Sequence, residues 1–149
     1  MAKRKAKAMI IVDVQNDFFS DAKMAKEKNR LVKKINELTQ ICRSNNIYVI
    51  WVRQEFKKDL SDAYLGVRKN KASITIEGET GSELLPKLKV ENSDNHIIKK
   101  RYSAFFNTGL LELLKSKKVE TLIVAGVKTH SCVRMTVIDA YQNDYHVII

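Results

Sequence analysis

Apolar residues follow two different rhythms along this chain. The run "AMIIVDV", Ala8 to Val14, is continuous, β-branched and ended by an acid, the pattern of a strand buried on both faces. In "RLVKKINELTQICRSNN" the apolar positions Leu31, Val32, Ile35, Leu38, Ile41 and Cys42 recur at helical spacing instead, and Asn45–Asn46 mark the stop. A second buried strand, "IYVIWVR" (Ile47 to Arg53), comes next. The stretch from Gln54 to about Asn95 is polar and irregular, and only "SELLPKL" in it predicts a short helix. Alternation then resumes with a strand at "HIIKK", a helix at "TGLLELLKSKK", a strand at "TLIVAG", a helix at "SCVRMTVIDAYQND" and a strand at "YHVII".

Strands without polar alternation, separated by amphipathic helices, imply an α/β fold: a parallel sheet with helices on both faces, in three layers. The 149 residues suit a single domain spanning 1–149, with no internal repeat, no linker and only one proline, Pro86. The connection from Gln54 to Asn95 is long for so small a domain, which predicts a lid or a pocket wall. The last strand, "HVII", has no covering helix after it, so a C-terminal strand or helix is expected to be missing.

Composition narrows the function classes. Hydrophobic residues make up 44% and charged residues 30%, as in ordinary globular domains. The net charge of +10 invites a nucleic-acid reading, but Lys3, Arg4, Lys5 and Lys7 fall in a basic tail, residues 1–7, expected to be disordered, leaving +6 elsewhere. Those remaining cations are interspersed with acids and form no aromatic-interleaved stripe, so nucleic acid is not the expected partner. No apolar run approaches the ~18–20 residues that span a bilayer. The N-terminal run is cut by Asp13 and lacks a small-residue cleavage site, so a cytoplasmic protein is expected. The two cysteines differ in context, with no CxxC, and predict neither a disulfide framework nor a metal site.

Ligands of open α/β sheets bind beyond the carboxyl ends of the strands. There the sequence offers Asp13 with Gln15, Asn16 and Asp17 after the first strand, Lys99 and Lys100 ending "HIIKK", and the loop from Gly126 to Cys132 after "TLIVAG". Cys42, on the apolar face of the first long helix, reads as core packing. Cys132 falls in the first turn of a helix, where unpaired N–H groups lower a thiol's pKa from ~8.5; a lysine would lower it further and a carboxylate would accept its proton. By position alone a nucleophile and a packed thiol stand equally.

The joint pattern of "DVQNDF", "KKRYSAF" and "AGVKTHSCVRMTVIDA" resembles the three signatures of the isochorismatase-like cysteine hydrolases, a superfamily containing nicotinamidases and related amidohydrolases. The resemblance runs from Ile10 to the end of the chain. It implies a Rossmann-like sheet between helices and an Asp–Lys–Cys triad at Asp13, Lys99 and Cys132. Counting back from "YSAF" selects Lys99 over Lys100, and side chains alternating along a strand allow only one of the two to face a site. It further implies a cis peptide at Val127–Lys128 that would aim the backbone N–H groups of Lys128 and Cys132 at one point as an oxyanion hole. Phe18, Gln15, Trp51 and His130 are the expected substrate-binding residues. Hydrolysis of a small molecule's C–N bond through a thioester follows, without a cofactor, in a homo-oligomer (dimer or tetramer). Metal-bearing nicotinamidases carry an acid and histidines after the second strand; Gln54 and Phe56 stand there instead, so no metal is expected. His96 and His146 read as structural or solvated. True isochorismatases have glycine where Cys132 stands, which makes vinyl-ether hydrolysis the lesser alternative, beside a non-catalytic scaffold.

Overall fold

The computed structural model describes residues 5–149. Five strands form one fully parallel sheet: β1 (Ala6–Val12), β2 (Tyr48–Gln54), β3 (Asn95–Lys99), β4 (Val119–Gly126) and β5 (His146–Ile148), in the order β3-β2-β1-β4-β5. The helices are α1 (Ala22–Ser44), α2 (Leu65–Asn70), α3 (Leu110–Ser116) and α4 (Arg134–Gln142). Among the described residues no helix is long and apolar enough to cross a membrane.

Alternation along β1 divides the core. Met9 and Ile11 join Val49 and Trp51 against Val32, Ile35 and Cys42 of α1 on one face. Ala8, Ile10 and Val12 join Ile50, Val52, Leu122 and Val124 against α3 and α4 on the other. The result is the three-layer α/β/α arrangement. Cys42 is buried filler within the α1 layer, its Sγ 3.6 Å from the Met9 sulfur.

Local boundaries differ from the sequence pattern for definable reasons. The strand β1 begins at Ala6, so Lys7 is paired in the sheet opposite Thr121, and Lys5 forms an exposed ion pair with Glu120 at 2.6 Å. The part of the expected tail from Lys5 to Lys7 is therefore ordered, and the rest lies outside the described residues. The same strand stops at Val12 because Asp13 takes φ 55°, a left-handed conformation that Asp tolerates better than most residues. Helix α1 starts eight residues ahead of the apolar pattern: "AKMAKEKN" is a set of mostly good helix formers, and the Asp21 side chain caps it by accepting from the Lys23 and Met24 N–H groups, each at 3.0 Å. "SELLPKL" forms no α-helix. Leu84 bridges to Gln15 and the Leu85 N–H donates to the Val14 carbonyl, which ties the segment to the turn after β1. The long connection instead carries α2 and a small apolar cluster of its own around Phe56, Ala63, Val67 and Ile76.

Candidate active site

Four strand ends open on one side of the sheet. Asp13 leaves β1 there, Gln54 ends β2, Lys99 ends β3, and Lys128–Cys132 follow β4. Gly126 brings the last of these close. Its φ of +137° suits glycine alone, and a Cβ there would run into the Val12 backbone. The Val127 N–H then donates to the Val12 carbonyl at 2.9 Å, so the loop bearing Cys132 starts beside Asp13.

Lys99 stands two strands away from Asp13, roughly 10 Å at ordinary sheet spacing, so only a long side chain can reach. It does: Lys99 Nζ lies 2.8 Å from Asp13 Oδ2, with both side chains fully buried. The same ammonium lies 3.5 Å from Cys132 Sγ and donates to the Arg101 carbonyl at 3.0 Å. Lys100 points elsewhere, to the Asp62 carboxylate at 2.9 Å and the Glu55 carbonyl. Cys132 sits in a π-helical turn, Thr129–Val133, that precedes α4 rather than in the first turn of an α-helix. The Val127–Lys128 peptide is cis. The Lys128 N–H has no acceptor among the described residues.

Electrostatics reverses one expectation. Burial pushes the Cys132 thiol up to about 11; the charge of Asp13 raises it too, and Lys99 only partly offsets both. Burial likewise raises the Asp13 carboxyl above its ordinary range against the pull of Lys99. Burial thus works against a standing thiolate at Cys132 and makes Asp13 a stronger proton acceptor.

A cleft of about 330 Å³ lies over Cys132, walled by Phe18, Tyr64, Ile74 and Tyr102 and bordered by Lys128 and His130. Tyr64 and Tyr102 face each other with ring centroids 5.0 Å apart. Phe18 and His130, both expected to bind substrate, line this cleft. Two other expected binding residues do not. Gln15 is fully buried and clamps the backbone, its Nε2 donating to the Gln54 and Ser82 carbonyls at 2.7 Å each while its Oε1 accepts from the Gln54 N–H at 2.8 Å. Trp51 is fully buried on the α1 side, where its Nε1–H donates to Asp94 at 2.8 Å. Tyr64, Ile74 and Tyr102 carry no sequence signal of their own beyond the length of the Gln54–Asn95 connection, which holds the first two.

At the positions where a metal would need an acid and a histidine, Gln54 Nε2 donates to the Thr75 hydroxyl at 3.2 Å, and Phe56 is buried edge-on to Tyr64. An amide and a phenyl ring do not make a donor set for a zinc-type ion. The described residues hold no cluster of three His, Cys, Asp or Glu side chains with metal-binding geometry.

A fully parallel sheet between helices, with a buried acid, lysine and cysteine gathered at its carboxyl edge, places the protein among the three-layer α/β/α folds. The isochorismatase domain pattern matches residues 7–149, and the chain belongs to the isochorismatase family. A "probable inactive nicotinamidase" of Arabidopsis thaliana is 35% identical over 153 residues, covering 97% of this chain and 78% of the relative. The crystal structure of an isochorismatase family protein from Desulfovibrio vulgaris superposes with a TM-score of 0.86 at 28% identity, covering 97% of this chain and 78% of that one. That of the nicotinamidase PncA from Bacillus subtilis gives 0.82 at 28% identity, covering 95% and 82%. The family thus includes hydrolases of amide-type bonds.

Proposed function

We propose that this protein hydrolyses a C–N amide-type bond of a small molecule, with Cys132 as nucleophile and a thioester as intermediate. The observation that carries the reading is the convergence of Asp13, Lys99 and Cys132, at 2.8 Å and 3.5 Å, beneath the cleft.

The charges explain how a thiol near 11 can act. With Lys99 as its ammonium, the pair Asp13–COO⁻ and Cys132–SH has the same net charge as Asp13–COOH and Cys132–S⁻. Moving the proton within the pair adds no net charge to the buried site, whereas losing it to solvent does. Asp13 takes the thiol proton as the substrate carbonyl arrives. The thiolate attacks the carbonyl carbon, and the developing oxyanion accepts from the Lys128 and Cys132 N–H groups, each such donor contributing ~3 kcal/mol to the transition state. Asp13 returns the proton to the departing nitrogen, and the C–N bond breaks to leave the thioester. Asp13 then deprotonates a water that attacks the thioester, and the Cys132 sulfur leaves and recovers the proton.

Ammonia release from a panel of small carboxamides and ureido compounds tests the reading. The wild type should turn over at least one of them, hydroxylamine should divert the thioester to a hydroxamate, and Cys132→Ala should fold normally and release nothing. Hydrolysis retained in Cys132→Ala would end the scheme. The similarity to a probable inactive relative favours one second reading, a family member that binds its ligand without turning it over. Ligand-dependent protection of Cys132 from alkylation, with no ammonia from any compound, is its signature.

A further inference from the structure

Beyond Asp13 the turn after β1 holds the long connection at three positions. The Gln15 amide takes the Gln54 and Ser82 carbonyls. Asn16 donates from its backbone N–H to the Glu83 carbonyl at 3.0 Å and from its side chain to the Thr80 carbonyl at 2.9 Å. Asp17 Oδ2 accepts from the Thr75 N–H at 2.6 Å. This last contact falls on a strained residue. Thr75 is fully buried at φ 49°, a conformation that a β-branched side chain disfavours and that persists only where its surroundings enforce it. Its other polar atoms are engaged as well: the hydroxyl accepts from Gln54 Nε2 at 3.2 Å and the carbonyl from the Phe56 N–H at 2.9 Å. The Asp17 carboxylate in turn occupies the space beside Gly81 where a Cβ would stand. Phe18 follows Asp17 and Ile74 precedes Thr75, and both line the cleft over Cys132.

We propose that Asp17 is a positioning residue that sets the width of the cleft: by accepting from the Thr75 N–H it fixes Ile74 and Phe18 as walls of one slot. The inference rests on the amide-hydrolase reading of the cleft and adds a determinant of which amides fit it. Asp17 does not line the cleft itself and acts through Thr75. Without the carboxylate the buried Thr75 N–H loses its acceptor, the backbone relaxes toward negative φ, and Ile74, one residue away, moves with it. The turn after β1 thereby has two roles, with Asp13 as the base and Asp17 as the gauge of the slot.

Alkylation of Cys132 reads the width of the cleft without any turnover. Rates are measured at pH 9 with iodoacetamide and with the bulkier iodoacetanilide, the labelled peptide is quantified by mass spectrometry, and glutathione serves as the unhindered thiol. Both reagents draw on the same thiolate, so the ratio of their rates cancels any change in the thiol's ionisation and reports access alone. Wild-type Cys132 should disfavour iodoacetanilide at least tenfold more than glutathione does. Asp17→Ala should reduce that discrimination at least fivefold, whereas Asp17→Asn, which keeps an oxygen for the Thr75 N–H, should stay within twofold of the wild type. Circular dichroism shows whether each variant folds; should Asp17→Ala fail to, Gly81→Ala, whose new methyl displaces the carboxylate, carries the same expectation. Discrimination absent in the wild type, unchanged in folded Asp17→Ala or Gly81→Ala, or lost equally in Asp17→Asn would each overturn the proposal. For any amide the wild type turns over, Asp17→Ala should raise KM at least fivefold and leave kcat within threefold, since walls that grip ground state and transition state alike contribute to binding only; a loss confined to kcat counts against the proposal. Failure of the amide-hydrolase reading looks different: the alkylation ratios change as expected, yet no amide releases ammonia.

Discussion

Replacing Asp13 with asparagine should make the thiol more acidic and the protein inactive. Asparagine keeps the size of the side chain and an oxygen that can accept from Lys99, but removes the negative charge. In the wild type that charge is the second cause, after burial, of a Cys132 pKa near 11, and Lys99 is the opposing influence. A unit charge about 4 Å from the thiol contributes about 4 kcal/mol at an effective dielectric of ~20, about three pKa units. In Asp13→Asn the repulsion of the carboxylate is gone, and the attraction of Lys99, 3.5 Å from the sulfur, stands against the burial penalty alone. The thiol should therefore titrate at least two units lower, with on the order of a hundred times more thiolate at pH 8. Thiolate absorbance near 240 nm and the pH dependence of iodoacetamide labelling at Cys132 both read this, with circular dichroism to show that the variant, which leaves a buried cation paired only to a neutral amide, still folds. Ammonia release should fall by at least a thousandfold, because no group remains to take the proton and return it to the leaving nitrogen. A thiol that still titrates near 11, or a variant that keeps a tenth of wild-type turnover, would refute the reasoning.

Other perturbations test separate parts of the site. Lys99→Met should abolish turnover and raise the thiol pKa, whereas Lys100→Met, which loses only the contacts to Asp62 and Glu55, should retain most of it; equal loss in parallel assays would contradict the assignment of Lys99. Gly126→Ala should destabilise the fold by about 2–4 kcal/mol in urea unfolding, since the new methyl meets the Val12 backbone at a φ of +137°. The pH dependence of stability has a defined sign. Between about 8.5, where an unfolded thiol titrates, and about 11, where Cys132 does, the folded state holds a proton that the unfolded state has lost, so stability falls as pH rises through that window. The loss should be roughly 2–3 kcal/mol more in the wild type than in Cys132→Ala, measured as the difference between their unfolding curves at pH 8 and pH 11.

The sheet was legible because its strands are continuous apolar runs, and their order of appearance put Asp13, the "KK" pair and the Cys132 loop at one edge. What a linear pattern does not carry is the third direction at a strand end. Gln15 follows Asp13 by two residues and reads as a site residue, yet the left-handed turn at Asp13 redirects the chain and sends the Gln15 amide into the backbone of Gln54 and Ser82. Trp51 falls on the α1 face of β2 by simple alternation with Val52, three residues before the strand's carboxyl end, and its Nε1–H is taken by Asp94. Exposed elements were the least visible. The first turns of α1 and all of α2 bury few apolar side chains, so helical spacing leaves little trace there, and the cleft wall that α2 supports at Tyr64 went with them.

The direction of the Cys132 pKa shift follows from the same limit. Sequence places the thiol at the start of a helix and near a lysine, and both local influences favour a thiolate. Neither fact reveals that Cys132 is almost fully buried, 5% exposed, or that the carboxyl group meant to receive its proton is itself buried beside it. Burial penalises any state of the site that carries net charge, and it thereby turns three ionisable groups into one electroneutral unit that shares a proton. A permanently ionised thiol would need Asp13 to be protonated or absent, and would have no base left for the hydrolytic step. Holding the thiol neutral until a carbonyl arrives keeps that base available, which makes the raised pKa of Cys132 compatible with a nucleophile rather than a sign of mere packing.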